Sequence, residues 1–348
     1  MQEGYTWVSS FCNARRVELK THIPPALALF FIAPIFGELF SGSSPLNEYI
    51  NPVTFITLSL LYGCGAIIVR ELAIRWQKGW LSIFILGAAY GIYEEGILVQ
   101  SFFDPGWVDL GDLAVYGRVA GVNWVWTEHL TVFHMLISIA ASIAFVEALY
   151  PEQRAVRWVK SRGWWILNWV GVLSLVIPWK IMVKYDSGGW WLLSWIAIIG
   201  LGFIARYVPA HPLSPRERKS PAPWKFFLAG FLGFFIQFVI VYSSAENQTI
   251  PFPVIMLSLL IFDLFMLWLL LRMSGNGASW DDHHRMALII GALSFFLVLG
   301  PLTMNGLYPV MYFSNPIFLL LLWLAYRSVK QRVLHEQTPL PAEVLPSP

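Results

Sequence analysis

The sequence predicts an all-α, polytopic membrane protein with about ten transmembrane helices. Hydrophobic residues make up 57% of its 348 residues and charged residues only 13%, a composition typical of chains that cross a membrane repeatedly. A window of about 20 residues finds ten apolar stretches long enough to cross a bilayer. These predicted spans are residues 21–40, 52–69, 80–102, 119–149, 164–183, 190–207, 226–243, 253–271, 286–304 and 309–326.

The basic residues support this count, because Lys and Arg concentrate in cytoplasmic loops. With the N-terminus inside, all of the 23 Lys and Arg residues except Arg118, Lys180 and Lys184 fall on the inner side. We therefore expect an integral protein of a prokaryotic plasma membrane with both termini in the cytoplasm. Its predicted parts are a cytoplasmic segment (1–20), one transmembrane helical domain (21–327) and a disordered, Pro-rich tail (328–348).

Composition and cysteine spacing exclude several other classes of protein. A net charge of +2 does not indicate a nucleic-acid partner, so the expected partners are the lipid bilayer and an unknown peptide, lipid or ion substrate. The two cysteines, Cys12 and Cys64, give neither a disulfide framework nor a zinc-finger spacing. The segment "DDHHR" at Asp281–Arg285 is interpreted as a solvated loop. We assign no metal ligands from the sequence, and the cofactor stays unknown.

Two adjacent carboxylates, Glu94 and Glu95, lie within the apolar third span, in the stretch "YGIYEEGILVQSFFDP". An ionised group there costs at least about 2.5 kcal/mol, so an intramembrane carboxylate suggests a function. Because successive residues of an α-helix diverge by about 100°, at most one of the two is expected to point at the fourth span. Gly87 and Gly91 predict a close approach of a neighbouring helix.

The fourth span carries a polar stripe that matches one face of a helix. Its members are Asn123, Thr127, Thr131, His134 and Ser138. His129 is turned about 140° from His134 at 100° per residue, so both imidazoles cannot point into the stripe. Since Glu38, Glu94 and His134 share a similar depth, spans one, three and four are predicted to pack around them.

These residues suggest general-base chemistry, in which one carboxylate deprotonates water and a histidine orients it or stabilises an oxyanion. The catalytic candidates are Glu94, Glu95, His134 and His129, and the substrate-binding candidates are Glu38, Asn123, Glu128 and Thr131. The alternative is a polar network that only fixes helix packing. For Glu38 alone an interfacial position is favoured, and for Asp263 a relay role and a structural hydrogen bond are equally favoured.

A diglutamate followed about 35 to 40 residues later by histidine in the next helix resembles the CAAX-protease and bacteriocin-processing family of glutamate-type intramembrane proteases. The resemblance covers about 50 residues and implies that Glu94 and Glu95 activate water while His129 or His134 completes the site. Val99 and Gln100 stand where that family carries an arginine. No intramembrane histidine after His134 matches the family's third motif.

Three functions follow from these observations. The leading hypothesis is a membrane-embedded hydrolase acting on a peptide or lipid-linked substrate through the diglutamate and a histidine. The second is a proton- or ion-coupled transporter that uses the same carboxylates with Asp263. The third is a non-catalytic structural or assembly factor.

Overall fold

A computed structural model of the chain describes residues 23–303 and 309–337. The predicted N-terminal segment and the last residues of the predicted tail lie outside these ranges. The helices are α1 (Pro25–Leu39), α2 (Pro52–Arg75), α3 (Trp80–Leu98), α4 (Trp124–Leu149), α5 (Arg162–Met182), α6 (Gly189–Tyr207), α7 (Pro223–Asn247), α8 (Phe252–Ser274), α9 (Asp282–Thr303) and α10 (Met311–Gln337). Shorter helical turns occur at Leu46–Tyr49, Gly111–Ala114 and Pro151–Gln153.

The all-α, polytopic class is confirmed. Within the described ranges, eight helices, α2 to α9, are long and apolar enough to cross a membrane, and α1 is a shorter apolar helix. Each of the ten predicted spans corresponds to one helix. Strand structure in the described chain consists of one antiparallel hairpin, β1 (Arg118–Val119) with β2 (Val122–Asn123).

Two boundaries differ from the prediction. The fourth helix begins at Trp124 because the preceding residues form the hairpin, and the Asn123 side chain caps the helix by accepting a hydrogen bond from the Trp126 N–H at 3.0 Å. At the other end, α10 continues to Gln337, into the segment predicted as tail. This extension is held by Arg332, which donates hydrogen bonds to the Ala148 carbonyl and to Asp282 Oδ2, both at 2.7 Å.

Loop-to-loop hydrogen bonds define two sides of the bundle. On the basic side, Lys78 donates to the Val208 carbonyl at 2.8 Å and Arg75 to the Val159 carbonyl at 2.7 Å. On the opposite side, which we call the hairpin side, Tyr116 donates to the Ile250 carbonyl at 2.7 Å and Trp190 Nε1 to the Ala120 carbonyl at 2.9 Å. The connections joined by these hydrogen bonds therefore alternate between the two sides along the chain, as successive membrane spans require.

A network of buried charges holds the basic side together. Arg70 is fully buried and donates to Glu71 Oε1 at 2.8 Å and to the carbonyls of Arg154 and Val156, both at 2.7 Å. Such pairing is required, because a buried guanidinium without partners would be strongly destabilising. Arg70 directly follows the predicted span 52–69, so the sequence predicts it in a loop, whereas in the structure it lies within α2.

The interpretation of residues 281–285 as a solvated loop is wrong. Asp282 is 8% exposed and accepts hydrogen bonds from Arg154 at 2.6 Å and Arg332 at 2.7 Å. The neighbouring Asp281 accepts a hydrogen bond from His284 at 2.6 Å. Although burial alone would raise the pKa of Asp281, the hydrogen bonds from His284 lower it to about 2. Asp282 therefore connects the start of α9 to α10 and to the segment that follows α4.

The helices differ strongly in burial. In the most apolar stretches of α3 and α4, 72% of residues are buried, but only 11% of those of α6 and α8. The close packing of α3 on α4 depends on the predicted glycines, since a Cβ at Gly91 would lie 3.1 Å from His134 Cβ and one at Gly87 would lie 3.1 Å from Met135 Cα. The bundle is therefore organised around α3 and α4.

Four helices widen into π-helical segments. These segments are Ile35–Leu39 in α1, Ser59–Gly63 in α2, Tyr93–Leu98 in α3 and His134–Ala141 in α4. Among the described residues no π-helical segment occurs outside these four helices. Since π-helical turns are rare and occur frequently at functional sites, they point to the region where α1 to α4 meet.

We expect Asp282→Asn to lower the free energy of unfolding by about 2 kcal/mol, because it removes the charge that compensates Arg154, Arg285 and Arg332. Thermal unfolding in detergent, followed by tryptophan fluorescence, measures the change. The control is Asp186→Asn, whose side chain is 85% exposed and pairs with Lys180 at 3.8 Å. Equal stability of the Asp282 variant and the wild type would contradict the connector role.

We expect the basic side to face the cytoplasm. Cysteines introduced at the exposed positions Asp109 (hairpin side) and Arg157 (basic side), with Cys12 and Cys64 replaced by alanine, should react differently with a membrane-impermeant maleimide. Intact cells should label only the cysteine at 109, and lysed cells should label both. Labelling of both cysteines in intact cells would overturn the ten-span topology.

Candidate functional site

The candidate site is built around His134, which contacts both carboxylates of the diglutamate. Glu95 Oε1 lies 2.9 Å from His134 Nε2, and Glu94 Oε2 lies 3.2 Å from Nδ1. Each of the three side chains is at most 10% exposed. In the described chain, no cationic side chain other than His134 lies within ion-pair distance of Glu94 or Glu95. We call these three residues the Glu–Glu–His cluster.

The expectation that only one glutamate would face the fourth helix is wrong. It assumed α-helical spacing, whereas Glu94 and Glu95 lie at the start of the π-helical segment of α3. A π-helix holds more residues per turn than an α-helix, so the angle between neighbouring side chains is smaller. Because His134 starts the π-helical segment of α4, both partners of the contact depend on this widening.

Tyr62 connects Glu38 of α1 to the cluster. Its hydroxyl lies within short hydrogen-bond distance of Glu38 Oε1 and Glu94 Oε1, and Ser44 donates a hydrogen bond to Glu38 Oε2 at 2.7 Å. A phenol carries one proton, so it donates to only one carboxylate. The other contact is a hydrogen bond only if that carboxyl group is itself protonated. The geometry therefore places an exchangeable proton between Glu38 and Glu94.

Glu95 is held on its far side by α3 and α4. Ser101 donates a short hydrogen bond to Glu95 Oε2, and Trp126 Nε1 donates to Ser101 Oγ at 3.0 Å. Both Glu95 oxygens are therefore occupied. Because His134 Nδ1 also lies 3.0 Å from Ser138 Oγ, the imidazole is fixed on both edges.

Two polar atoms in the site have no hydrogen-bond partner among the described residues. They are Glu94 Oε2 and the hydroxyl oxygen of Tyr90, whose residues are 4% and 6% exposed. Unsatisfied buried polar atoms are costly and mark places where water or an ion binds. One ligand atom each from Glu94, Glu95 and His134 lies within 4.8 Å of the others, so these residues could hold a metal ion. The sequence analysis had assigned no metal ligands.

Four of the candidate residues lie apart from the cluster, and two of them, His129 and Asn123, are held by contacts of their own. His129 is 1% exposed and packs against the aromatic rings of Phe238 (centroid distance 4.9 Å) and Tyr242 (6.1 Å) of α7. Asn123 is used as the cap of α4 and also donates a short hydrogen bond to the Leu113 carbonyl. The structure thus separates His129 from His134, as the angle of about 140° predicted.

Glu128 and Thr131 line an open cavity of about 610 Å³ between α4 and α8. The cavity is also lined by Asp263, so two carboxylates from different helices face the same space. The predicted polar stripe of α4 is therefore divided, because Thr127 and Thr131 face this cavity whereas His134 and Ser138 are buried.

Sequence reasoning missed Tyr62 and Ser101. Tyr62 lies in an apolar stretch, "LLYGCG", where tyrosine carries no periodic signal, although the neighbouring glycines indicate close packing. A Cβ at Gly37 would lie 2.5 Å from Tyr62 Cε1, so this glycine makes room for the ring. Ser101 falls inside the predicted span 80–102, whereas α3 ends at Leu98, and a single serine there carries no periodic signal.

Comparisons with known proteins add one finding. Residues 27–179 match the model of an uncharacterized membrane protein family. That range runs from α1 into α5 and contains every residue of the Glu–Glu–His cluster together with Glu38 and Tyr62. No curated protein and no solved structure shows significant similarity to the chain.

We expect Tyr62→Phe to destabilise the protein by about 1–3 kcal/mol, because it removes the hydroxyl shared by two buried carboxyl groups. Tyr49→Phe is the matched control, since Tyr49 is 5% exposed and its hydroxyl has no hydrogen-bond partner among the described residues, and it should cost much less. Thermal unfolding of both variants in the same detergent measures the difference. Equal losses of stability in the two variants would show that the Tyr62 hydroxyl does not stabilise the contact between Glu38 and Glu94.

Proposed function

We propose that the protein is a membrane-embedded hydrolase in which Glu94 activates water and His134 assists. The observation that carries the proposal is the convergence of two buried carboxylates on the two nitrogens of one imidazole, at 2.9 and 3.2 Å. Buried carboxylate and histidine pairs of this kind are typical of general acid–base catalysis. The substrate is an amide or ester bond of a membrane-embedded peptide or a lipid-linked molecule.

The geometry favours different roles for the two glutamates. Both oxygens of Glu95 are occupied by His134 and Ser101, whereas Glu94 Oε2 has no hydrogen-bond partner. A water molecule would therefore bind at Glu94, and Glu95 would orient the imidazole. Glu38 and Tyr62 adjoin Glu94 and supply the exchangeable proton.

The proposed reaction proceeds by addition and elimination. Glu94 takes a proton from water while the water oxygen forms a bond to the carbonyl carbon of the substrate. His134, whose Nδ1 lies 3.2 Å from Glu94 Oε2, orients this water for the attack. The proton held by Glu94 then passes to the leaving amine or alcohol as the scissile bond breaks, which regenerates the carboxylate.

Substrate must reach a site that is closed in this structure. The cavity between α4 and α8 offers a route, because its lining residue Thr131 precedes His134 by about one helical turn. Thr131 also touches α3, since a Cβ at Gly91 would lie 3.3 Å from Thr131 Cα. Glu128 would then contact substrate at the entrance, as the sequence analysis suggested for a binding residue.

A proton- or ion-coupled transporter is the second candidate. It is supported by the continuous series of contacts from Ser44 through Glu38, Tyr62, Glu94 and His134 to Glu95. The buried charges of the basic side do not extend this series. Arg70 and Glu71 are engaged in ion pairs and in hydrogen bonds to loop backbone, which favours an enzyme pocket over a path through the membrane.

We expect Glu94→Gln to abolish function with normal folded yield, because glutamine preserves shape but cannot accept a proton. The measurement compares N-terminal peptides and lipid extracts of membranes from a gene-deletion strain that carries wild-type or variant protein. Cleavage products should appear with the wild type and disappear with the variant. Glu48→Gln, an exposed glutamate near Glu38, is the control and should resemble the wild type.

Glu95→Gln separates the roles of the two carboxylates. It keeps a hydrogen-bond acceptor for Ser101 and His134, so we expect roughly 10- to 100-fold lower activity and no complete loss. Full activity of both glutamine variants would leave the cluster a purely structural network. Proton flux into liposomes without any cleavage product would instead establish the transporter.

A further inference from the structure

We propose that the Glu–Glu–His cluster binds one divalent transition-metal ion, with Zn²⁺ or Mn²⁺ as the matching class. The inference extends the proposed hydrolase function, and only the catalytic role of the ion rests on that proposal. The binding site itself rests on the arrangement of Glu94, Glu95 and His134.

The spacing of the ligand atoms fits a metal ion. Zinc ligands lie about 2.0–2.2 Å from the ion, so two ligand atoms on one ion are about 3–4 Å apart. One ligand atom each from Glu94, Glu95 and His134 lies within 4.8 Å of the others, which is close to this spacing. Glu95 contacts Nε2 of His134 and Glu94 contacts Nδ1, so the imidazole would bind the ion through one nitrogen and the carboxylate at the other nitrogen would turn toward it. Small side-chain movements would bring all three to one ion.

The charges in the cluster are not balanced by side chains. When Glu94 and Glu95 are both ionised, a protonated His134 compensates only one of them, and the described chain offers no Lys or Arg within ion-pair distance of either. Uncompensated charge in the membrane interior is strongly unfavourable. A divalent cation would supply the missing positive charge, and with a neutral imidazole it would balance both carboxylates.

One buried oxygen is available to bind the ion. Glu94 Oε2 belongs to a residue that is 4% exposed, points toward His134, and has no hydrogen-bond partner. The unpaired hydroxyl of Tyr90 lies on the same helix one turn earlier. Both atoms would have a partner if an ion occupied the cluster, because Glu94 Oε2 would bind the ion and the Tyr90 hydroxyl would bind its water molecule.

Surrounding hydrogen bonds hold each ligand in place, as is usual for metal sites. Tyr62 contacts the second oxygen of Glu94, Ser101 donates to the second oxygen of Glu95, and Ser138 lies 3.0 Å from His134 Nδ1. One nitrogen and two carboxylate oxygens suit Zn²⁺ and Mn²⁺ better than Mg²⁺ or Ca²⁺, which prefer oxygen ligands only. Three protein ligands leave a coordination position for water, as in catalytic zinc sites.

The experiment measures bound metal directly. Full-length protein without an affinity tag is purified in detergent, stripped with a chelator, loaded with Zn²⁺ or Mn²⁺ and desalted, and its metal content is determined by mass spectrometry. We expect the wild type to retain about one ion per chain. His134→Gln should retain at least about tenfold less, because a ligand is lost.

The matched control is His129→Gln, which changes an equally buried histidine of the same helix outside the cluster and should retain the ion. Ser101→Ala should weaken binding by roughly 10-fold, because it removes the hydrogen bond to Glu95 and the one from Trp126 that orients it but leaves all three ligands in place. If His134→Gln does not fold, Co²⁺ loaded into the wild type gives a second readout. Its visible absorption should show nitrogen and oxygen ligands, and Glu94→Gln should abolish that spectrum.

Folded wild-type protein that retains no ion, or His134→Gln protein that retains as much as the wild type, would overturn the metal site. If Glu94→Gln loses cleavage activity and the wild-type protein retains no metal, the protein is a metal-independent hydrolase. Metal retention without any cleavage product would preserve the site and reject the hydrolase. The two proposals therefore fail separately.

Discussion

The contact of one imidazole with two adjacent glutamates is the interaction on which the centre of this bundle depends. It requires neighbouring residues of α3 to face the same residue of α4, which the 100° between neighbouring side chains of a regular α-helix disfavours. The chain meets this requirement by widening α3 and α4, and also α1 and α2, into π-helical segments. Each widened segment carries a member or a neighbour of the site. These are Glu38, Tyr62, Glu94, Glu95 and His134.

The buried charges divide into two groups with different chemistry. On the basic side, Arg70, Asp282 and their partners form ion pairs and hydrogen bonds between loops and helix ends. Near the hairpin side, Glu94 and Glu95 have His134 as their only cationic neighbour among the described residues. The first group suits a rigid support, since its charges are compensated. The second suits a site that handles protons or cations, because its charges need an additional partner.

Much of the architecture could be predicted from the sequence, because apolar length and the distribution of Lys and Arg determine the spans. The close packing of α3 on α4 also followed from Gly87 and Gly91. The joint orientation of Glu94 and Glu95 could not be predicted, since the α-helical angle of about 100° does not apply in a π-helix. Tyr62 and Arg70 were missed because their roles depend on residues far away in the chain.

The long sequence separations inside the buried networks set an order of biosynthesis. Arg70 meets Glu147 77 residues later in the chain, and Glu95 meets His134 39 residues later. Arg70 can pair with the adjacent Glu71 at once, but at roughly 5–20 residues per second of translation Glu147 is made only about 4–15 seconds later. During that interval the translocation machinery, or water near the membrane surface, has to shelter the charged pair. The first four helices can then assemble as a unit, and α10 completes it when Arg332 reaches Asp282.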